Sequence, residues 1–428
     1  MSSAQGEVVG TGDTARTLPP ERVRALVEEG MGRLPLDGAR VLAVVPDHTR
    51  SAPMGLVFPA VLRALTPRAR SVEVMVALGT HRPERESDVR ERLGLRGDRS
   101  IPIHQHEWDR DDALREAGCI GSGEIAELSG GLFRQDVCVR ANKRLFEADH
   151  VLIVGPVFPH EVAGFSGGTK YLFPGCSGPE VLNFFHWLGA VITNLKIIGV
   201  KENPVRRVID RAAELVPVPK SCVAMVVEPP EGLAGLYVGP VGEAWSRAAD
   251  LSARTHVTYV ERPFRRVLSM APPMYDDLWT AAKCMYKLEP VVEDGGELVI
   301  YAPHVAEVSY THGRYLDEVG YHVRDYFLKQ WERFSHYPWS VLAHSTHVKG
   351  AGSYDEVAHI ETPRVNVVLA TGIPEERCRR INLGWRDPRS IRPEDWEHRE
   401  AEGVLCVRRS GERLYRLAGA VARRGKGL

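Results

Sequence analysis

Three short apolar runs set the strongest limit on what this chain can fold into. Val41–Pro46 (VLAVVP), Val72–Leu78 (VEVMVAL) and Val151–Val157 (VLIVGPV) are built from β-branched and aliphatic residues. They almost lack the in–out alternation of a strand with one wet face. Such runs are strands covered on both sides, the pattern of parallel sheets under helices. Helical spacing falls between them. Pro20–Leu34 places Val23, Leu26, Val27 and Met31 on one stripe, with prolines at its start. Further helices are expected over Leu56–Leu65, Pro83–Leu93, Pro179–Ala190 (with Ser177 as N-cap) and Pro204–Leu215. Val223–Val227, Leu236–Val238 and Val257–Tyr259 read as short strands. After Glu261-Arg262-Pro263 the pattern restarts. Strands are expected at Val267–Ala271, Glu297–Ala302, Val365–Ala370 and Val404–Val407, and helices at Tyr275–Leu288 and Tyr321–Phe334. The expected fold is α/β: two α/β domains, residues 1–264 and 265–428, with largely parallel sheets and a cleft between them.

Composition narrows the function classes. Lys and Arg number 55 against 56 Asp and Glu, a net charge of -1, so no basic excess drives binding to nucleic acid or anionic lipid. No apolar stretch approaches the ~18–20 residues of a membrane helix. The opening, Met1–Pro20, is polar and lacks the apolar centre of a signal peptide, so a cytoplasmic protein is expected. Seven scattered cysteines with no CxxC pair argue against a disulfide framework and against a zinc ribbon.

Each of the three apolar runs ends in chemistry. The first leads into Asp47-His48-Thr49-Arg50, the second into Gly79-Thr80-His81-Arg82-Pro83. The third leads into Pro159-His160-Glu161 and then Gly164-Phe165-Ser166-Gly167-Gly168-Thr169-Lys170. In open α/β sheets ligands bind beyond the carboxyl ends of strands, and parallel strands would bring these loops to one edge. Together they offer groups for proton transfer and for holding a carboxylate. Singly each has a plainer reading. Asp47 can cap a turn, Arg50 and Arg82 can be surface charges, and Ser166-Gly167-Gly168 can be a turn needing positive φ. The order of residues fits neither a Walker A loop nor a GxGxxG dinucleotide loop.

His186 lies on a helical face with Leu182 and Gly189, as a core histidine or as a single metal ligand. In the second domain Thr280 and Lys283 share a helix face, and Lys283 could reach an anionic ligand. His336, His344, His347 and His359 form a loose cluster read as surface or interface residues.

The stretch HEVAGFSGGTKYLFPG, with DHTR and GTHRP upstream and His186 sixteen residues after Lys170, resembles the nickel-dependent lactate racemase family. The resemblance covers nearly the whole chain and is strongest between Val41 and Trp187. It implies a racemase or epimerase that inverts C2 of a 2-hydroxy acid by reversible hydride transfer. The cofactor implied is a nickel-pincer nucleotide, a pyridinium mononucleotide with two thio groups, supplied by dedicated biosynthetic proteins. It implies covalent attachment at Lys170, within a loop that includes Ser166, Gly167 and Gly168, and one protein ligand to nickel, His186. It implies His81 and His160 as acid/base groups on opposite sides of the substrate, with Asp47, Arg50 and Lys283 as substrate-binding residues. The N-terminal domain is then catalytic and cofactor-binding, and the C-terminal one closes over the substrate.

The typical member has Tyr-Gln where this chain has Trp279-Thr280, which points to a 2-hydroxy acid larger than lactate or different in polarity. The family's pocket tryptophan corresponds to Trp331 or Trp339. Two other readings stand beside this one. The first is an enzyme of another class, with Lys170 forming a Schiff base or the histidines holding zinc. The second is a cofactor-binding homologue without catalysis.

Overall fold

The computed structural model describes residues 7–228 and 232–419, and the chain divides into two compact units. The first comprises residues up to Phe158, Phe165–Phe185 and Lys201–Thr255. The second comprises Pro159–Gly164, His186–Val200 and the chain from His256 onward. Both are α/β.

In the first unit, nine strands are β1 (Val9–Gly12), β2 (Arg40–Pro46), β3 (Ser71–Ala77), β4 (Ile103–Gln105), β5 (Leu114–Ile120), β6 (Val137–Asn142), β7 (His150–Pro156), β8 (Lys220–Glu228) and β9 (Gly232–Pro240). Seven of them form one sheet in the order β1-β9-β8-β7-β2-β3-β4. The five strands from β8 to β4 are parallel, and β9 and β1 extend one side antiparallel. β5 and β6 make a separate antiparallel hairpin. The three apolar runs of the sequence are β2, β3 and β7, adjacent in the order β7-β2-β3. From β2 the chain runs outward through β3 and β4, then returns to β7 on the other side of β2. That change of direction opens a crevice beyond the carboxyl ends of β2 and β7.

Helices α1 (Pro20–Gly32), α2 (Met54–Leu65) and α3 (Glu86–Arg92) follow the expected spacing, and α1 buries Val23, Leu26, Val27 and Met31. Those side chains join Val41, Ala43, Val45, Val74 and Val76 in one core. Helix α4 (Pro179–Ile192) begins at a proline. Ser177 is not its cap: the residue lies two positions before the helix, and its hydroxyl donates to the carbonyls of Pro174 and Gly178. Asn203 does cap α5 (Pro204–Glu214), its side chain accepting from the Arg206 N–H. Helix α6 (Val241–Thr255) completes the unit.

In the second unit β10 (Val257–Val260), β11 (Phe264–Met270), β12 (Val292–Ala302), β13 (Asn366–Thr371), β14 (Gly384–Trp385), β15 (Val404–Val407) and β16 (Leu414–Leu417) supply the strands used here. Five form a wholly parallel sheet, β14-β13-β12-β11-β15, and β10 pairs with β16. The helix expected over Tyr275–Leu288 is two single turns, α7 (Leu278–Ala281) and α8 (Lys283–Tyr286). The helical segments expected around Tyr321–Phe334 are α9 (Arg324–Leu328) and α10 (Trp331–Phe334). Helix α11 (Trp339–Lys349) follows. Among the described residues, no helix is long and apolar enough to cross a membrane.

Candidate functional site

The first unit assembles its polar groups at the crevice beyond β2 and β7. Asp47 follows directly on β2 and is buried. One carboxylate oxygen accepts from the Thr49 N–H (3.0 Å) and hydroxyl (2.6 Å). The other lies 2.5 Å from His81 Nδ1, which arrives on the loop after β3. Arg50 Nη1 donates to the Thr49 hydroxyl (2.5 Å) and carbonyl (3.3 Å), so Thr49 relays between Arg50 and Asp47. Burial alone would push the Asp47 carboxyl up. The electrostatic pull and hydrogen bond of His81, then Arg50 and Thr49, reverse this and hold it well below the usual carboxylate range. Asp47 is thus a fixed negative charge that orients the His81 ring through Nδ1 and leaves Nε2 for other chemistry. Arg92, on α3, donates to the Pro46 carbonyl (2.7 Å) and to Glu84 (2.9 Å), bracing the end of β2. Sequence reading placed Arg92 only in a charged helix.

The Phe165–Lys170 loop is held from behind by residues the sequence reading passed over. The Ser166 hydroxyl accepts from the Phe158 N–H (2.9 Å), and the Trp245 indole N–H donates to the Ser166 carbonyl (2.9 Å). Gly167 and Gly168 have φ of 83° and 58°, where side chains are strained. A Cβ on Gly167 would also meet Val157 Cγ2 at 2.6 Å, and one on Gly168 would meet Trp245 Cγ at 2.9 Å. The glycine pair is therefore explained by this close packing. Arg206, 1 % exposed, stacks its guanidinium 4.1 Å from the centre of the Trp245 ring. It donates to the Phe165 carbonyl and to the Thr169 hydroxyl (3.2 Å), and that hydroxyl donates to Asp210 (2.5 Å). Burial lowers the Arg206 pKa to about 10 against the pull of Asp210 and Glu202. Lys170 is half-buried in the short turn Gly168–Tyr171 that this clamp fixes.

The second unit carries the other predicted residues. His160 Nδ1 accepts from the Val162 N–H (3.1 Å); the Glu161 carboxylate, 3.3 Å from the same nitrogen, acts as a neighbouring charge. His186 is half-buried on α4. One turn on, a Cβ at Gly189 would lie 3.1 Å from Val162 Cγ1, so this glycine lets the His160 segment pack closely on the helix. Trp187 stacks on Trp331 (centroids 5.4 Å apart, planes 12° apart), and Trp339 meets Trp331 edge-on at 5.3 Å. Both candidate tryptophans therefore belong to one aromatic group beside the residue that follows His186.

Asp277 caps α7, accepting from the Thr280 N–H (2.9 Å) and hydroxyl (2.8 Å). That engages the one polar group of Thr280. Trp279 lies between two histidines, with centroids 4.6 Å from His312 and 4.1 Å from His344. Lys283 Nζ sits 4.3 Å from the centre of the Tyr275 ring and donates to the Thr280 carbonyl (3.3 Å).

The reading of His344 and His347 as surface or interface residues is wrong, because α11 is buried from Ser340 to Val348. His344 meets the Tyr321 hydroxyl at 3.3 Å. Burial, and then the positive charge of His347, His312, Lys283 and His186, holds its pKa well below the ordinary value. Burial takes His347 down to about 4 against the pull of Glu161, and among the described residues its Nε2 has no hydrogen-bond partner. His336 and His359 are exposed and take no part.

The donor set bears on what could be held here. Among the described residues, no three His, Cys, Asp or Glu side chains are grouped to hold an ion. A metal that arrives with its own donor atoms inside a cofactor needs one further ligand, and a half-buried imidazole such as His186 suits that need. Lys170, on a clamped turn, offers a primary amine for attachment. Each of these two side chains, taken singly, suits a cofactor of that kind.

Similarities to known proteins bear on the family of the chain. Residues 25–196 match the family described as lactate racemase N-terminal domain. The lactate racemases of Thermoanaerobacterium thermosaccharolyticum and Lactiplantibacillus plantarum are 23% identical over 271 residues and 24% over 268. Each alignment covers 61% of this chain and 59% of the relative, so the match spans less than two thirds of their length. The crystal structure of a Thermotoga maritima protein matches with a TM-score of 0.88 and 31% identity, over 95% of this chain and 100% of that one. The lactate racemase apoprotein of T. thermosaccharolyticum matches with a TM-score of 0.71 and 17% identity, over 94% and 97%. Fold and loops define an α/β protein whose polar loops gather at the switch point of a parallel sheet. The chain is a homologue of the lactate racemase family.

Proposed function

We propose that this protein is a racemase or epimerase inverting C2 of a 2-hydroxy acid. The observation that carries the reading is the His81–Asp47 pair at the carboxyl ends of adjacent strands: a buried, permanently charged carboxylate orienting one imidazole. Inversion requires the substrate hydroxyl to lose its proton as the C2 hydrogen departs, and to regain it on return. His81 takes that proton at Nε2 for one enantiomer, and His160 does so for the other. Arg50 grips the carboxylate through its planar fork, aligned by Thr49, and Lys283 adds a second positive charge. When bound, a nickel-pincer nucleotide supplies an electrophilic ring carbon that accepts and returns hydride. Lys170 is the attachment point for that group, on a turn shaped by Ser166, Gly167 and Gly168, and His186 is the nickel ligand. The host's cofactor-biosynthesis proteins supply the group.

The substrate proposed is larger than lactate or different in polarity. Supporting this, Trp279 presents a ring backed by His312 and His344, and the Thr280 hydroxyl is engaged by Asp277. The test is to produce the protein together with the cofactor's biosynthetic enzymes and follow enantiopure lactate, 2-hydroxybutyrate, 2-hydroxyisovalerate, phenyllactate and malate by chiral chromatography. Inversion of a longer acid in preference to lactate is expected, with an adduct on Lys170 in the peptide mass map. Absence of inversion from protein that carries the adduct would leave a cofactor-binding homologue. Full activity with an unmodified Lys170 would remove the cofactor assignment.

A further inference from the structure

Of the seven cysteines, four are buried and Cys406 is partly so; the two that are exposed, Cys119 and Cys138, face each other. They are direct partners in the register of the antiparallel hairpin β5–β6. Directly opposed residues in such a pair hold their Cβ atoms about 4.5–5.5 Å apart, close to the separation a disulfide spans. The remaining adjustment has an obvious source. The ladder is irregular between Glu116 and Gly118, and Gly118 has a φ of 137° that gives the strand freedom next to Cys119. The facing Cys138 thiol, and then the carboxylates of Glu116 and Asp136, push the Cys119 thiol up to about 11. Scattered spacing in the sequence argues against a disulfide framework, yet folding brings this one pair together at the surface.

We propose that Cys119 and Cys138 form a reversible dithiol–disulfide pair oxidised by a low-molecular-weight disulfide such as oxidised glutathione. One cysteine thiolate attacks a glutathione sulfur and expels glutathione thiolate, leaving a mixed disulfide. The second cysteine thiolate attacks the protein sulfur of that mixed disulfide and expels the other glutathione thiolate. Two protein thiols are oxidised, one glutathione disulfide is reduced to two thiols, and the cysteine protons end on the departing thiolates. The bond closes the loop of residues 120–137. It also staples the hairpin against which the approach to α4 leans, through the Asn142 N–H to the Cys176 carbonyl (2.8 Å) and the Gly178 N–H to the Arg140 carbonyl (2.9 Å). Exchange proceeds through the thiolates, so oxidation of the pair becomes faster as pH rises.

The full-length protein is incubated with oxidised glutathione, its reactive thiols are titrated under native conditions, and the digest is mapped by mass. The two reactive thiols should disappear together, a Cys119–Cys138 cross-linked peptide should appear, and dithiothreitol should restore both. The rate should rise about tenfold per pH unit from pH 7 to 8, with the thiolate fraction. In Cys119→Ser or Cys138→Ser, the remaining cysteine should instead accumulate a stable glutathione adduct, since the resolving thiol is gone. Wild-type protein that carries glutathione on both residues without cross-linking would overturn the proposal. So would a bridge that joins either residue to Cys406 or to a second molecule.

Discussion

The polar groups around Asp47 and Thr169 and those around Trp279 are buried in different ways. Around Asp47 and Thr169, each charge meets an opposite charge or a matched hydrogen bond: Asp47 with His81 and Thr49, Arg206 with Phe165, Thr169 and Asp210. Around Trp279 the second unit gathers groups of like tendency, with His312 and His344 against one indole and His347 a turn further along α11. There burial keeps the His344 and His347 imidazoles neutral. Matched burial fixes geometry, because moving any member strands its partner. Neutral burial costs less in the loss of any one member and leaves the wall open to change.

Four experiments break or sharpen that contrast. The largest effect belongs to His81→Ala in holoprotein, which should lose about 10²–10⁴-fold in inversion rate while keeping its circular dichroism spectrum. Asp47→Asn should lose part of that, since the ring is still held but no longer by a charge. Next, Arg206→Met should lower stability by about 3 kcal/mol in urea unfolding, because the Thr169 hydroxyl and the Phe165 carbonyl lose a buried donor and Asp210 loses a neighbouring positive charge. It should also slow adduct formation on Lys170 in peptide maps. An unchanged urea midpoint would show that the clamp is slack and that the two regions are less different than argued.

A comparable effect depends on pH. His347 titrates near 4 when folded and near ~6.5 when unfolded, so between those values the unfolded chain binds a proton that the fold excludes. Stability should therefore be unaffected above about pH 6.5, fall as pH drops to 4, and level off below. His347→Leu should remove roughly 3 kcal/mol of that acid loss, read as the difference between the two urea-unfolding profiles against pH. The smallest effect is Thr280→Val, about 1 kcal/mol from the weakened α7 cap, with KM for the preferred acid little changed. A large rise in KM would return the Thr280 hydroxyl to the substrate.

Legibility followed physical signal. β2, β3 and β7 were plain because double-sided burial leaves unbroken aliphatic runs, and the chemical loops were plain because they interrupt them. Helix α6 was missed because its buried face is largely small: Ala244, Ala248, Ala249 and Ser252 beside Trp245 and Leu251. Alanine carries little hydrophobic contrast, so periodicity fades. Helix α11 was missed for the opposite reason: it is buried almost all round and shows no wet face to define a stripe. Arg206 sits on a helix whose existence was legible, but its burial depends on Trp245 and Thr169, far away in sequence. The His81–Asp47 contact was inferable only as a meeting of strand ends, and its 2.5 Å closeness is a product of the sheet's register.

The chain crosses between the units five times, the last at His256. Segments made early, Pro159–Gly164 and His186–Val200, wait for partners made last. Ile198 completes a core otherwise drawn from residues after Phe264, and the Asn194 side-chain amide donates to the Tyr286 carbonyl (2.9 Å). A gene cut at 255/256 would thus yield neither unit whole: one piece would carry two orphaned segments, and the other would have a hole where Ile198 belongs. Such a protein resists cassette exchange. Its second unit can diverge only residue by residue, in place, on a frame whose assembly requires the complete chain.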